Sequence, residues 1–499
     1  MKKKLKKFEE IIKEKKLIDA SLEILQWDLE TTAPKKGKEL IADVFGYLSM
    51  KSYNLMTSEE FIKLVEKLSE KKEKLNDIQR KEIEDITEEI EKMKKIPPKE
   101  YEEYSKLVAR SQGVWEEAKN KNDFNLFKDD LKKIFEYNIK FAKYQMKDKK
   151  NIYDVLLNEY EKGMDSEKLD KFFKSLREEI VPLLKKVKES KVKNDFEFLS
   201  KKVDIETQRK FNKYLASYLG FDFDRGVLAE SEHPFTMNID KNDVRMTTKF
   251  IEDQPFSSIF SVIHESGHGI YEQQIGDDLQ GTILASGGSM GIHESQSRFY
   301  ENILGRSLAF WEGIYKNGIE NFPALKEIDI NELYRGVNKV EPSLIRTEAD
   351  ELTYSLHIMV RYEIEKGIIN GELDIDKLPE IWNKKMEEYL GVVPETDSEG
   401  VLQDVHWAGG MIGYFPSYAL GSVYAAQLYH KMKEDMDVDQ LLKDGKMDRI
   451  KGWLRDRIHV YGKLRGTAEL IKEITGEDLE PKYYIDYLKE KYSKIYNLD

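Results

Sequence analysis

His264-Glu265-Ser266-Gly267-His268 is the stretch from which the rest of the chain is read. It has the form His-Glu-x-x-His. On a helix, residues four apart share a face, so both imidazoles reach a single ion and Glu265 stands beside it to hold a water. The flanks predict that helix. Phe260, His264, His268 and Tyr271 follow one stripe, and Ile259, Val262, Ile263 and Ile270 add apolar neighbours. Gly267 and Gly269 sit where a helix prefers alanine, each costing roughly 1 kcal/mol. A close-packed neighbour, or a substrate passing near the backbone, accounts for them.

A zinc site with two histidines needs a third protein ligand and an open position. The chain has no cysteine, so any metal is held by His, Asp, Glu and water. The nearest candidate is Glu294, in Gly291-Ile292-His293-Glu294-Ser295-Gln296-Ser297-Arg298, 30 residues after His264 (294 − 264). That spacing leaves room for a connecting loop and a second helix, which Ser289 can cap. His293 competes as a ligand, but adjacent helical residues point about 100° apart, so the pair does not bind one ion together. Glu294 is favoured because His-His-Glu beside a glutamate base is the peptidase pattern. Its other reading is an ion pair with Arg298, one turn on.

Composition narrows the classes. A chain of 499 residues with 40% hydrophobic residues buries a sizeable core, and 35% charged residues is above the ordinary globular share. The excess is largely Lys and Glu, which points to a hot-living source with surface ion-pair networks. The formal net charge of −13, with no basic domain, argues against a nucleic-acid partner. Lysines crowd the amino terminus, but Glu9, Glu10 and Lys13 interrupt any apolar run of signal length, and no stretch reads as a membrane span. The expectation is a cytoplasmic protein. All eight histidines (233, 264, 268, 293, 357, 406, 430 and 459) lie at 233 or later, which places the chemistry in the second half and makes residues 1–200 scaffold.

The scaffold reads as successive helices. Thr57 with Glu60 predicts a capping box, followed by Phe61, Leu64, Val65 and Leu68 at helical spacing; Ile83, Ile86, Ile90 and Met93 repeat it until Pro97-Pro98. A break into a turn is expected near Gln26-Trp27-Asp28 and Pro34. After Gly220 the period changes: Val244, Met246, Thr248 and Phe250 alternate with polar residues, and Phe235–Ile239 reads as an antiparallel partner across a turn at 240–243. Such an edge beside the metal can pair with an extended peptide. Pro342-Ser343 is read as opening a long helix through Lys366, and 400–413 as a glycine-rich loop lining a cleft.

Several segments, in this order, resemble the carboxypeptidase Taq family of thermostable metallocarboxypeptidases, which is similar in fold to neurolysin and angiotensin-converting enzyme. They are His233-Pro234-Phe235, Asp243-Val244-Arg245-Met246-Thr247, the His264–His268 motif, His293-Glu294-Ser295-Gln296-Ser297 and Ile345-Arg346-Thr347-Glu348-Ala349-Asp350. Gly400-Val401-Leu402-Gln403-Asp404-Val405-His406-Trp407 and Gly413-Tyr414-Phe415-Pro416-Ser417-Tyr418 complete the series. The match is thin in the amino-terminal third. The resemblance implies a mainly α, single-body fold over 1–499, with a deep central groove. It implies one zinc per chain, replaceable by cobalt, a homodimer, and removal of single carboxy-terminal residues from short peptides with broad preference.

On that resemblance His264, His268 and Glu294 hold the metal and Glu265 is the catalytic base. His406 and Tyr418 resemble the His/Tyr pair of the wider fold, His406 contacting substrate and Tyr418 donating to the oxyanion. A terminal carboxylate calls for an arginine fork, and Arg245 and Arg346 are the candidates; their other readings are a surface strand charge for Arg245 and a helical pair with Asp350, four residues on, for Arg346. His233, Asp350 and Gln403, within the same motifs, are expected to bind substrate. Two rival readings are an oligo-endopeptidase on the same fold and a helical interaction protein with an adventitious motif.

Overall fold

In a computed structural model the chain is described over residues 1–146, 151–192 and 195–498. Nine helices come first: α1 (Lys2–Thr31), α2 (Lys38–Thr57), α3 (Glu59–Ser69), α4 (Asp77–Lys95), α5 (Pro98–Lys121), α6 (Asn125–Gln145), α7 (Ile152–Tyr160), α8 (Ser166–Glu189) and α9 (Ile205–Leu219). Strands β1 (Gly226–Glu230), β2 (Thr236–Asp240) and β3 (Asp243–Thr248) follow. Then come α10 (Pro255–Gln273), α11 (Met290–Arg298), α12 (Leu308–Asn317), α13 (Ile330–Val337), α14 (Glu351–Ile369), α15 (Leu378–Leu390) and α16 (Pro416–Asp435), with four further helices to Tyr496. No helix among the described residues is long and apolar enough to cross a membrane.

A large apolar core runs through side chains from Ala118 to Tyr496, while Phe8, Phe61, Val65, Leu68, Ile83 and Ile86 form a separate, smaller one under α1, α3 and α4. A cleft of about 860 Å³ is lined by Tyr53 of α2, Met93 of α4, Tyr101 of α5 and Tyr160 of α7, and across from them by Met290 of α11 and Thr467.

The sheet differs from the expected antiparallel pair. β2 and β3 pair antiparallel, as read, but β1 adds to the other side of β3 in parallel, Gly226 opposite Val244, giving a mixed sheet of order β1-β3-β2. β1 was not legible because none of its residues is fully buried, so it carries no alternation between a core and a solvent face. The order leaves β2 at the edge.

Three local expectations are also corrected. The long helix begins at Glu351, not after Pro342: Asp350 is its N-cap and accepts from Thr353 N, and Arg346–Glu348 form a separate 3₁₀ turn. Asp350 is engaged as that cap, so Arg346 is not its helical partner. α1 continues through Trp27-Asp28 to Thr31, so the break comes only at Thr32–Pro34; Trp27 is buried against Phe235 at a ring distance of 5.7 Å, and a tertiary contact there outweighs the local turn signal. Ser58, not Thr57, caps α3 by accepting from Phe61 N, while the Thr57 hydroxyl donates back to Tyr53 O within α2.

Candidate active site

Pro255 occupies the first turn of α10, where its missing N–H is harmless. Apolar residues sink the helix against β3 and α9, leaving one face for His264 and His268. The two glycines are places of close approach: a Cβ on Gly267 would lie 2.6 Å from Gln296 O, and one on Gly269 2.7 Å from the Phe221 ring. α11 therefore packs directly against the His-Glu-x-x-His turn. Ser289 caps α11 by accepting from Ile292 N, and Glu161 of the α7 end accepts from the Ser289 hydroxyl and Gly291 N. These contacts set the position of Glu294 on the helix.

One nitrogen or oxygen of His264, His268 and Glu294 can be chosen so that all lie within 4.8 Å of one another. Glu294 Oε2 is 3.9 Å from His264 Nε2 and 3.6 Å from His268 Nε2. The other atoms of these groups already have partners. His264 Nδ1 meets Glu301 Oε2 at 2.8 Å, His268 Nδ1 meets His293 Nδ1 at 2.6 Å, and Arg298 Nε donates to Glu294 Oε1 at 2.7 Å. Imidazoles bonded through Nδ1, with free Nε2 atoms converging on a carboxylate oxygen, form a donor set that suits a divalent cation such as zinc. The ion-pair and ligand readings of Glu294 thus coexist, one oxygen each. His293 does not compete as a ligand; its Nε2 bonds Glu272 Oε1 at 2.7 Å.

Electrostatics follow from this packing. Burial drives the His268 imidazole well below its ordinary range, with His293 and His264 adding to the effect, which keeps its lone pair available. For His264 burial acts in the same direction, but the Glu301, Glu294 and Glu265 carboxylates outweigh it and raise its pKa. Burial raises the Glu265 carboxyl, which is only 6% exposed, against the pull of His264 and a hydrogen bond from Thr236 Oγ1 at 2.6 Å. A carboxyl raised in this way has the stronger proton affinity that general-base chemistry calls for.

Aromatic residues and a second charged cluster continue the site. Tyr418 and Tyr414 rings lie 5.2 Å apart, and Tyr414 meets Tyr160, at the cleft, at 5.2 Å. His406 Nε2 is 3.1 Å from Tyr418 OH, and its buried Nδ1 has no hydrogen-bond partner among the described residues. Burial lowers His406 to about 4, so the ring is neutral, and raises Tyr418 well above its ordinary value, so the phenol keeps its proton. The Arg346 guanidinium lies 4.8 Å over the Tyr418 ring and donates to Tyr354 OH, and Arg298 covers Tyr354 at 4.0 Å, linking this cluster to Glu294.

The other residues expected to bind substrate have different settings. Arg346 is buried and gives Nε and one terminal nitrogen to Asp404, which Arg361 also grips at 2.7 Å. Gln403 accepts from Arg346 N and Arg361 and donates to Leu344 O and Glu399 O, so its amide is saturated within the chain. Arg245, on β3, forks onto Asp243 and stacks over Trp27. His233 is exposed on the turn before β2. Sequence reasoning missed Glu301, Glu272 and Thr236. Glu301 lies seven residues past Glu294, on the face of a helix that continues as a π-helical turn, Phe299–Leu304; that spacing was the available signal.

Comparison with known proteins agrees with this geometry. The carboxypeptidase Taq (M32) metallopeptidase family model matches residues 7–492. The chain is 45% identical over 495 residues to carboxypeptidase 1 of Bacillus subtilis, covering 99% of both proteins. It is 39% identical over 472 residues to thermostable carboxypeptidase 1 of Pyrococcus furiosus, covering 94% of each. The solved M32 carboxypeptidase of Deinococcus radiodurans superposes with a TM-score of 0.96 at 33% identity, over 99% of this chain and 100% of that one. With a candidate metal-binding triad assembled, and with similarity along nearly its whole length, the chain belongs to the carboxypeptidase Taq (M32) metallopeptidases and is a metallocarboxypeptidase, a hydrolase of peptide bonds.

Proposed function

We propose that the chain releases single carboxy-terminal residues from short peptides with broad preference, using one zinc held by His264, His268 and Glu294. A divalent cation bound there supplies Lewis acidity toward a water and the scissile carbonyl. Glu265 takes the proton of the attacking water as its oxygen bonds to the carbonyl carbon, and delivers a proton to the amine as the C–N bond breaks. Tyr418, keeping its proton, donates a hydrogen bond to the developing oxyanion, and His406 contacts the substrate.

Arg346 is the group for the terminal carboxylate. Arg346 and Arg361 share the single carboxylate of Asp404, while His406 beside them is neutral, leaving a net positive charge next to Tyr418. Arg245, matched one-to-one by Asp243, offers no such excess. Gln403 and Asp350 brace this region, Gln403 through the Arg346 backbone and Asp350 through the start of α14. His233 would contact substrate from the turn before the edge strand β2, along which an extended peptide can lie.

We further propose one catalytic body over 1–499, with 1–200 as scaffold and groove wall and 201–499 carrying the metal and substrate residues. Cobalt in place of zinc, a homodimer, heat stability and a cytoplasmic setting belong to the same reading, the first three supported by family resemblance. The observation that carries the function is the convergence of His264 Nε2, His268 Nε2 and Glu294 Oε2 beside a buried Glu265.

The test uses one short peptide as free acid and as amide, with and without chelator. Stepwise loss of terminal residues from the acid alone, abolished by chelator and restored by zinc or cobalt, is expected. Internal cleavage of both peptides would establish an endopeptidase instead, and activity indifferent to chelator would refute the metal role.

A further inference from the structure

Thr236 and Asn238 stand two residues apart on β2, so their side chains project from one face of the strand. That face meets α10. Thr236 Oγ1 lies 2.6 Å from Glu265 Oε2 and 3.1 Å from Glu265 O. Asn238 Nδ2 donates to Glu272 Oε2. Glu265 and Glu272 are seven residues apart (272 − 265), two turns along α10, and so share the face that the strand grips.

From Glu272 a chain of hydrogen bonds returns to the metal triad. Glu272, 4% exposed, accepts through Oε1 from His293 Nε2 at 2.7 Å and from Gly287 N at 2.9 Å. His293 Nδ1 lies 2.6 Å from His268 Nδ1. Two ring nitrogens at that distance share one proton. His293 spends its own N–H on the Glu272 carboxylate, so its Nδ1 accepts and His268 Nδ1 donates. His268 is thereby held in the tautomer whose Nε2 presents a lone pair toward Glu294 Oε2.

We propose that β2 positions both halves of the catalytic helix: Thr236 orients the carboxylate of the base Glu265, and Asn238, through Glu272 and His293, orients the metal ligand His268. Both are positioning residues, and the inference rests on the roles of Glu265 and His268 given above. The strand is well placed to do this. β3 pairs with it, Thr236 opposite Met246, and its start is pinned by Phe235 against Trp27. Neither side chain needs to touch substrate.

The test separates the two arms. Thr236→Val keeps the shape and removes the donor; kcat should fall about ten- to hundredfold with KM and metal affinity near parental values, and Thr236→Ser should recover most of the turnover. Asn238→Ala should weaken metal binding by about ten- to hundredfold, read by chelator competition on the purified protein without an activity assay. In a Glu265→Gln background Thr236→Val should add less than about twofold, because the group it orients is gone. Thermal melts confirm that the variants fold, and Thr236→Ala replaces Thr236→Val if the latter does not. Equal losses in Thr236→Val and Thr236→Ser, parental kcat in Thr236→Val, or parental metal affinity in Asn238→Ala would each overturn the inference. Full turnover in Glu265→Gln would instead overturn the site on which it rests.

Discussion

Arg298 engages one oxygen of Glu294 and leaves the other. Its Nε donates to Oε1 at 2.7 Å, while Oε2 stays 3.9 Å from His264 Nε2 and 3.6 Å from His268 Nε2. The same guanidinium reaches Glu301, the partner of His264, at 3.3 Å. One half-buried arginine therefore steadies a candidate ligand and the carboxylate behind another candidate ligand. Arg298→Ala should weaken metal affinity about ten- to hundredfold, measured by chelator competition. Parental affinity would show that Glu294 needs no such support.

Tyr418 keeps its proton and lies beside His406, near the Glu294 carboxylate. Tyr418→Phe removes a single donor with little change of shape. It should lower kcat about a hundredfold and leave KM nearly unchanged, as expected for a contact made chiefly in the transition state. A rise in KM with parental kcat would assign the phenol to ground-state binding.

Arg346 and Arg361 share Asp404, so removing Arg346 leaves the remaining pair matched. Arg346→Ala should raise KM for free-acid peptides by roughly thirtyfold, about 2 kcal/mol, and change it far less for the corresponding amides. Steady-state kinetics on matched acid and amide peptides decide this. Equal changes for both would end the carboxylate role.

Two structural carboxyls give a pH dependence with a definite sign. Burial pushes Glu161 and Glu365 up to about 7, against hydrogen bonds from Ser289 and Gly291 to Glu161 and from Trp407, Tyr153 and Gly413 to Glu365. In the unfolded chain such a group titrates near about 4.3. Between these values the folded state holds the extra proton, so these groups stabilise the fold as pH falls and lose that contribution as pH rises toward about 7. Glu161→Gln and Glu365→Gln stay neutral throughout. The variant-minus-parent difference in Tm, taken with chelator present, should therefore grow from about pH 5 to about pH 7.5. A constant difference would mean that neither carboxyl titrates in that window.

Much of the centre was legible in the chain because its information is local. Four-residue spacing put His264 and His268 on one helical face, Ser289 announced the start of the helix that carries Glu294, and Gly267 marked a close neighbour, which is the Gln296–Ser297 backbone. The errors were also local signals, overruled by distant contacts. Trp27 looked like a break and is a helical residue buried against Phe235. Arg346 looked like one end of a helical pair with Asp350; its partner is Asp404, 58 residues on, and Asp350 caps a helix.

Sequence alone determined the helical class and the family, and nominated His264, His268 and Glu294 as the candidate metal-ligand set, because periodicity and motif order are properties of neighbouring residues. Tertiary structure decided which atoms those ligands have left to offer. Glu301, His293 and Arg298 occupy His264 Nδ1, His268 Nδ1 and Glu294 Oε1, and Thr236 arrives at Glu265 from a strand 29 residues away. Hydrogen bonds of that kind depend on distances of about 3 Å between separately placed elements, which only packing of the whole chain establishes.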